Sequence, residues 1–218
     1  MKWYRNNWFY VGAVLFMIQA FILIFCGSNM DLLTKIMFLS FMALNVHQFE
    51  EYAFPGGFPM VMNMAFMGET EVPDRYPLNK KSAFVCNVGF MYPVYILGII
   101  FSNQLWLGLA IVLMGVAQIF VHGIAFNKKM GTVYNPGMAS IIFLFVPLCV
   151  IYIWHVVANY DLLWWHWAVA IILQPALGMG CLMMPIQKMK DKNSPDIWTD
   201  KEVAKFDVAE KLAKKAAK

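Results

Sequence analysis

The sequence predicts an all-α fold, a polytopic membrane helix bundle with six transmembrane helices. Of its 218 residues, 61% are hydrophobic and only 14% are charged, and the mean hydropathy is +0.58. A chain with so few charged residues cannot cover a soluble globule with polar groups, whereas apolar side chains are suited to lipid surroundings. The composition therefore excludes a soluble cytosolic protein.

Six apolar segments reach the length of about 20 residues that a helix needs to cross the hydrocarbon layer. In chain order they cover residues 8–26, 32–54, 82–101, 105–126, 138–157 and 162–184. The connections after the second and fourth segments are longer and polar, whereas residues 102–104 and 158–161 form tight turns after the third and fifth.

The distribution of basic residues predicts the orientation in the membrane. When the six spans alternate in direction, sixteen of the 17 Lys and Arg residues fall on one side and only Lys35 falls on the other. Cytoplasmic loops retain Lys and Arg, so this side is predicted to be cytoplasmic, with both termini on it. Because the basic residues are scattered between long apolar runs, the predicted partner is the lipid bilayer and not a nucleic acid.

The chain divides into a predicted transmembrane bundle, residues 1–187, and a basic cytoplasmic tail, residues 188–218. The tail carries nine lysines, and Thr199 with Glu202 fits a helix capping box. An apolar stripe runs along the tail, formed by Val203, Phe206, Val208 and Leu212. This pattern predicts an amphipathic helix that is either solvated or lies on the anionic headgroups of the inner leaflet.

Five polar residues are predicted to meet in the cytoplasmic half of the membrane. The second span places His47 on one helical face with Glu50, at i+3, and Glu51, at i+4. His122 lies near the cytoplasmic end of the fourth span, and Asn135 precedes the fifth. Ionisable residues inside a membrane span are costly, so by default they mark a function.

Two imidazoles and a carboxylate are common ligands of zinc and iron in proteins. The predicted ligands are His47, His122 and Glu50. Glu51 is predicted as the general base, and Asn135 is predicted to orient water, substrate or a ligand. The predicted cofactor is a divalent metal, zinc or iron. These assignments favour a metal-dependent membrane enzyme, a hydrolase of a hydrophobic or lipid-linked substrate at the cytoplasmic leaflet.

The motif H-x-x-E-E at residues 47–51, followed by His122 and by Asn-Pro-Gly at residues 135–137, resembles the HXXEE family of bacterial integral membrane proteins. The resemblance covers most of the spans and leaves out the basic tail. It implies a multi-pass protein of the bacterial cytoplasmic membrane with an active or metal site at the motif, and it implies no particular activity. The paired glutamates are also similar to those of glutamate-type intramembrane proteases. Their downstream arginine is replaced here by Pro55, so that likeness is only an analogy.

Three other functions remain open at the level of sequence. A proton-coupled small transporter would use the two glutamates and His122 as a proton relay. A haem-binding electron carrier would pair His47 with His122 on the inner side and His155 with His166 on the outer side. A non-catalytic membrane protein would use the polar cluster only for helix packing.

Two further features of the sequence predict structural elements: the histidines near the fifth and sixth spans, and the short apolar stretch after the second span. His155 and His166 lie near Trp154 and Trp164, which is typical of an aromatic belt at the membrane interface. Residues 58–67 are apolar but too few to cross the membrane, so they predict a re-entrant or interfacial lid over the cluster. The four methionines of this segment are interpreted as ordinary apolar residues rather than as a copper site.

Overall fold

The computed structural model describes residues 2–217, and Met1 and Lys218 lie outside the described part of the chain. Within residues 2–217 the protein is all-helical, with 78% helix and no strand. Six helices are long and apolar enough to cross a membrane, which confirms the six predicted spans. They are α1 Lys2–Asn29, α2 Leu32–Tyr52, α3 Lys80–Ile100, α4 Leu105–Met130, α5 Met138–Asn159 and α6 Trp164–Met189.

Several helices extend beyond the predicted spans. α1 begins at Lys2, α4 continues to Met130 and α6 continues to Met189. The start of α2 is capped, because Asp31 Oδ1 accepts the backbone N–H of Thr34 at 2.8 Å. Hydropathy marks only the residues that lie in hydrocarbon, so it misses the polar turns that continue a helix towards the headgroups.

One end of the bundle carries Lys80, Lys129 and Lys188, and we call it the basic end; α1, α3 and α5 begin there, and α2, α4 and α6 end there. α2 is the most buried of the six helices and contacts α1, α3, α4 and α5. One apolar core, around Leu109, fills the half away from the basic end, and a second, around Met60, fills the basic end. The polar residues of α2 therefore lie at the centre of the molecule.

Four of the spans widen into π-helical turns in the half nearer the basic end. These turns cover Val85–Met91 in α3, Ile119–Phe126 in α4, Ile141–Phe145 in α5 and Gly178–Met183 in α6. A π-helical turn inserts extra residues into the helical repeat and redirects the side chains around it, and such turns are rare and frequent at functional sites. His122 lies on the π-helical turn of α4.

The segment between α2 and α3 folds back under the bundle at the basic end. It forms a short helix over Phe58–Met60 and a π-helical turn over Val61–Phe66. We call residues 58–66 the α2–α3 segment. Met60 and Val61 are fully buried, and Asn63 donates hydrogen bonds to the carbonyls of Pro73, at 2.7 Å, and Leu78, at 2.9 Å. The segment predicted as a lid is thus part of the core, and its buried methionines pack as apolar side chains.

The tail packs across the basic end rather than standing away from the bundle. Trp198 is buried and donates its indole N–H to the carbonyl of Leu78 at 2.9 Å. Glu202 accepts the backbone N–H of Thr199 at 2.7 Å, as in the predicted capping box, and pairs with Lys80 at 2.7 Å. Burial raises the pKa of Glu202, but the contacts with Lys80 and Thr199 outweigh burial and hold the pKa below its ordinary value.

Two lysines of the tail cap the ends of α2 and α4. Lys205 Nζ donates to the carbonyls of Tyr52, at 3.0 Å, and Ala53, at 2.8 Å, where α2 ends. Lys215 Nζ donates to the carbonyl of Lys128 at 2.6 Å, in the last turn of α4. The last carbonyls of a helix lack partners within the helix and carry partial negative charge, so a cation stabilises them.

The predicted apolar stripe of the tail faces the protein. Val208 is buried, and Val203, Phe206 and Leu212 pack against the apolar core at the basic end. The sequence had suggested water or lipid headgroups as the surroundings of this helix. Since the same amphipathic pattern suits any polar–apolar boundary, only the folded structure shows that the bundle itself covers the stripe.

The contact between the tail and the α2–α3 connection predicts that Gly57 tolerates no side chain. Gly57 has φ of +94°, and a Cβ there would lie 2.6 Å from the backbone oxygen of Lys205. We expect Gly57→Ala to displace the tail and to lower the free energy of unfolding by about 1–3 kcal/mol from backbone strain alone. Thermal unfolding in detergent and the rate of tryptic cleavage within the tail measure the two effects.

Gly68→Ala is the matched control. Gly68 also has a positive φ, +75°, but no atom lies within 4 Å of the position of a Cβ. This variant therefore carries the backbone strain without the clash, and we expect its tail to resist trypsin as in the unmodified protein. Equal cleavage of the tail in the two variants would contradict the docked arrangement.

Candidate metal centre

Three ionisable side chains meet inside the bundle near the basic end. His47 and Glu51 lie one turn apart on α2, and His122 reaches them from α4. The Nε2 atoms of His47 and His122 each lie 3.5 Å from Oε1 of Glu51. One ligand atom from each residue lies within 4.8 Å of the other two, and all three residues are buried. We call His47, Glu51 and His122 the triad.

The protonation of the His122 ring follows from its neighbour Asn135. Asn135 Nδ2 donates to the carbonyl of His122 at 2.6 Å and to Oδ1 of Asn127 at 2.8 Å, which fixes the orientation of the amide. Asn135 Oδ1 then faces His122 Nδ1 at 2.7 Å. An amide oxygen can only accept, so Nδ1 of His122 carries the hydrogen and Nε2 presents a lone pair to Glu51.

The His47 ring is held in the same way by the start of α5. Its Nδ1 lies 3.0 Å from the carbonyl oxygen of Gly137 and 3.0 Å from the hydroxyl oxygen of Ser140. Because a carbonyl oxygen can only accept, Nδ1 of His47 carries the hydrogen. Its Nε2 therefore also presents a lone pair to the oxygen of Glu51.

With both imidazoles neutral and Glu51 ionised, the triad brings together hydrogen-bond acceptors with no hydrogen between them. Two imidazole nitrogens and a carboxylate oxygen face one another in a buried site, an arrangement that costs free energy unless a cation lies among them. Two histidines and one glutamate are a known ligand set of catalytic zinc, and ligand histidines commonly donate their other N–H to a carbonyl or a carboxylate. The donor set and its outer hydrogen bonds fit a divalent metal.

Glu50, the glutamate predicted as a metal ligand, does not join the triad. Its carboxylate accepts the N–H groups of Ala139, at 2.9 Å, and Ser140, at 2.8 Å, at the start of α5. It also accepts the hydroxyls of Ser140, at 2.7 Å, and Tyr134, at 2.8 Å. Burial, followed by the Glu50 carboxylate, raises the pKa of Tyr134, so its phenol remains a donor. The geometry differs from the predicted division between the glutamates: Glu51, rather than Glu50, lies beside both histidines, and Glu50 anchors α5.

Asn135 lies where the sequence suggested, but its polar atoms are all engaged. Its oxygen and both amide hydrogens bond to His122 and Asn127, and the residue is fully buried. Of the three predicted tasks, to orient water, substrate or a ligand, the geometry fits only the last. Asn135 is a positioning residue for His122.

Sequence analysis missed the role of Gly137. Gly137 has φ of +100°, and a Cβ there would lie 2.6 Å from Cε1 of His122 and 2.8 Å from Cε1 of His47. Both imidazoles therefore rest against the bare backbone of this residue. The triplet Asn-Pro-Gly was the available signal, because glycine favours a positive φ before a helix. Ser140 was also missed, since an isolated serine in an apolar span carries no signal of its own.

Aromatic rings shield the triad from water. Phe58, from the α2–α3 segment, stacks on His122 with ring centroids 5.8 Å apart and an interplanar angle of 18°. Phe145 of α5 meets His47 edge-on, with centroids 5.7 Å apart. The α2–α3 segment thus covers the triad, as the prediction of a lid required, although it does so as a buried part of the core.

A cavity of about 330 Å³ adjoins the triad. α2, α3, α4 and α6 supply most of its wall, which is largely apolar, and Asn87, Gln118 and Gln174 are the amides among its lining residues. Gln48 Nε2 donates to Oδ1 of Asn87 at 3.0 Å and holds that amide in place. The volume is at the lower end of the range of about 300–1,000 Å³ that small-molecule sites occupy.

The histidines of the opposite end make only local contacts. His155 Nδ1 lies 3.1 Å from Nδ2 of Asn159, and the ring of His166 stacks on Trp165 at 3.9 Å. Trp154 is 67% exposed, which agrees with the predicted aromatic belt. Their surroundings give no support to a second haem.

The geometry predicts opposite effects on stability when the two glutamates are replaced in the metal-free protein. Glu50→Gln places an amide NH₂ against donors, so we expect it to lower the free energy of unfolding by about 1–3 kcal/mol. Glu51→Gln removes a carboxylate and supplies donors to the lone pairs of His47 and His122, so we expect equal or higher stability. Thermal unfolding with a chelator present measures both. A larger loss for Glu51→Gln than for Glu50→Gln would contradict these roles.

Comparison with known proteins gives one family. A family model described as a protein of unknown function with HXXEE motif matches residues 38–152, more than half of the chain. The matched region contains the triad, Glu50 and Asn135, and it leaves out α6 and the tail. No curated protein and no solved structure gives a significant match. The chain therefore belongs to the HXXEE family, as its motif indicated.

Proposed function

We propose that the protein is a metal-dependent membrane hydrolase whose triad of His47, Glu51 and His122 binds a divalent zinc or iron ion. The observation that carries this proposal is the convergence of unpaired acceptors beside a buried apolar cavity. A site built only for packing would place donors opposite these acceptors. The bundle instead fixes both Nδ1–H groups outward and leaves the Nε2 lone pairs facing Glu51.

His47, Glu51 and His122 line the cavity, and a metal ion that they held would keep an open coordination position, as catalytic zinc sites with three protein ligands do. A divalent metal bound there supplies Lewis acidity, which polarises a carbonyl and acidifies a water. In the described part of the chain, Glu51 is the only carboxylate that lines the cavity. We therefore assign to Glu51 both contact with the ion and acceptance of the proton that an attacking water loses. Phe58 and Phe145 exclude bulk water from both imidazoles.

The position of the triad favours a hydrophobic or lipid-linked substrate. His47 lies five residues before the end of α2, about 8 Å at the helical rise of 1.5 Å per residue. The triad therefore lies just inside the leaflet on the basic side, within reach of the first bonds of a lipid. We infer that the basic end is cytoplasmic, because it gathers all but one of the basic residues, and that the protein lies in the cytoplasmic membrane of a bacterium.

A proton-coupled transporter is the second candidate. Buried polar atoms without hydrogen-bond partners continue from the triad along α2 and α3, namely Asn45 Oδ1, Gln48 Oε1 and the hydroxyl of Tyr92. Such atoms are suited to a short chain of waters. The ring of Phe41 packs edge-on against Tyr92 at 5.1 Å, at the far end of this polar stretch. The convergence of the triad beside the cavity favours the enzyme over the transporter.

The proposal predicts that the triad controls metal content. We expect His47→Ala, His122→Ala and Glu51→Ala to lose most of the metal, because each removes one of three protein ligands. Asn135→Leu keeps all three ligands and removes the amide that orients His122, so we expect about 10–100-fold weaker metal affinity. Elemental analysis of the purified protein, with titration of zinc and iron into the chelated protein, measures these effects.

His155→Ala is the matched control, because it removes a histidine that lies outside the triad, and it should keep the metal. Thermal unfolding shows whether each variant remains folded. If the folded variants His47→Ala and His122→Ala both retain stoichiometric metal, the site is elsewhere. If the unmodified protein binds neither zinc nor iron on titration, the proposed enzyme is wrong.

The orientation predicts which positions react with an impermeant thiol reagent in intact cells. In a background without native cysteines, we expect Asn103→Cys, between α3 and α4, to be labelled from outside. Lys81→Cys and Lys128→Cys, at the basic end, should react only after the membrane is opened. All three residues are exposed, so access to the reagent depends on the side of the membrane. The opposite pattern would place the basic end outside.

A further inference from the structure

α6 changes its packing partner near Pro175. Its first part, Trp164–Leu177, packs on α4, whereas its π-helical turn, Gly178–Met183, packs on α3. Proline lacks a backbone N–H and interrupts the regular hydrogen bonds of a helix, and Pro175 lies just before this change of packing partner. α4 and α6 therefore separate beside the cavity.

The residues at this separation belong both to the wall of the cavity and to the outer surface. Met179 lines the cavity and is 63% exposed, and Pro175 also lines it and is exposed. On the facing helix, Gln118 and Val121 line the cavity and are partly exposed. The cavity thus opens sideways between two membrane-spanning helices, and we call this gap the α4–α6 opening. A molecule in the bilayer can reach the triad through it without crossing water.

The charge of the wall restricts what can bind there. Among residues 2–217, none of those that line the cavity is Lys or Arg. Two lysines of the basic end are engaged elsewhere, since Lys80 pairs with Glu202 and Lys205 caps α2. Apart from the proposed metal ion, a phosphate in the cavity would therefore meet no cation, and burying its charge without Lys or Arg partners is costly. The amides of Gln118 and Gln174 suit an uncharged carbonyl group instead.

We propose that the cavity binds an uncharged acyl lipid, with its chain inserted through the α4–α6 opening and its carbonyl group at the triad. This inference rests on the proposed hydrolase and narrows its substrate to a neutral carboxylic ester or amide, as opposed to a phosphoester. In such a hydrolysis the water oxygen bonds to the acyl carbon, and the bond from that carbon to oxygen or nitrogen breaks. One proton of the water goes to the departing alcohol or amine and the other stays with the acid.

Photolabelling tests the class of ligand without depending on turnover. The probe is a monoacylglycerol that carries a diazirine near the end of its acyl chain, added to the purified full-length protein in lipid nanodiscs. We expect crosslinks on the peptides of α4 and α6 that border the opening. Excess monoacylglycerol should reduce labelling about tenfold, whereas lysophosphatidic acid with the same chain should change it less than about twofold. Equal or stronger competition by lysophosphatidic acid would overturn the preference for an uncharged group.

Two glycines of α6 give a matched test of the route. Gly178 lines the cavity and Gly180 does not, and at both positions a Cβ would have no atom within 4 Å. We expect Gly178→Trp to obstruct the opening and to reduce labelling about tenfold, and Gly180→Trp to leave it unchanged. Gly178→Leu is a milder substitution for the case that tryptophan disturbs folding. If labelling is unchanged in both Gly178 variants, the route is wrong.

Metal content measured on the same samples separates this inference from the proposed function. Protein that binds the metal but shows no competed labelling contradicts the lipid site and leaves the metal centre intact. Protein that is labelled as expected but binds neither zinc nor iron contradicts the hydrolase and leaves the lipid site intact. Gly178→Trp should lose labelling while keeping its metal, because Gly178 is not part of the triad.

Discussion

The lone pairs of His47, Glu51 and His122 face one another in a site that bulk water does not reach, and the arrangement of the bundle around them depends on this convergence. Buried acceptors without donors raise the free energy of the folded protein, so the metal-free triad lowers its stability. What keeps the rings in place is the set of hydrogen bonds on their outer edges, from Nδ1 to Gly137 and Asn135. These bonds hold the acceptors inward whether or not a cation is bound.

The same convergence explains why the motif contains two adjacent glutamates and why the triplet Asn-Pro-Gly accompanies it. Successive residues of a helix point about 100° apart, so Glu51 turns towards α4 while Glu50 turns towards the start of α5. There Glu50 accepts two backbone N–H groups, and negative charge is favourable at that end of a helix. Asn135 and Gly137, just before α5, then reach back to the two histidines. Motif and triplet are two halves of one unit that joins α2, α4 and α5.

Much of the fold could be predicted from the sequence, because a helix that crosses the hydrocarbon layer needs a minimum length and an apolar composition. Both can be read from the sequence even when single residues within the helix are polar. The depth of the site followed from the same reasoning, since alternating spans bring His47, His122 and Asn135 to one end. The choice between Glu50 and Glu51 could not be made, because i+3 and i+4 lie equally near a histidine and only the position of α5 distinguishes them. The tail was uncertain for a similar reason, since its stripe fits water, headgroups or protein.

Access to the site is built from parts of the chain that lie outside the family match. The three residues of the triad all lie within the matched residues 38–152. In contrast, α6 supplies one wall of the cavity, and the tail covers the basic end through Lys205 and Lys215. The tail packs across the basic end, and α6 changes its packing partner from α4 to α3 near Pro175, where we propose the α4–α6 opening. The triad lies on α2 and α4, whereas one side of the proposed opening is formed by α6. A substitution in α6 would therefore change what reaches the triad without changing any of its three residues. In the proposed enzyme the residues that would hold the metal and those that would admit the lipid therefore lie on separate helices, α2 and α4 for the first and α6 for the second.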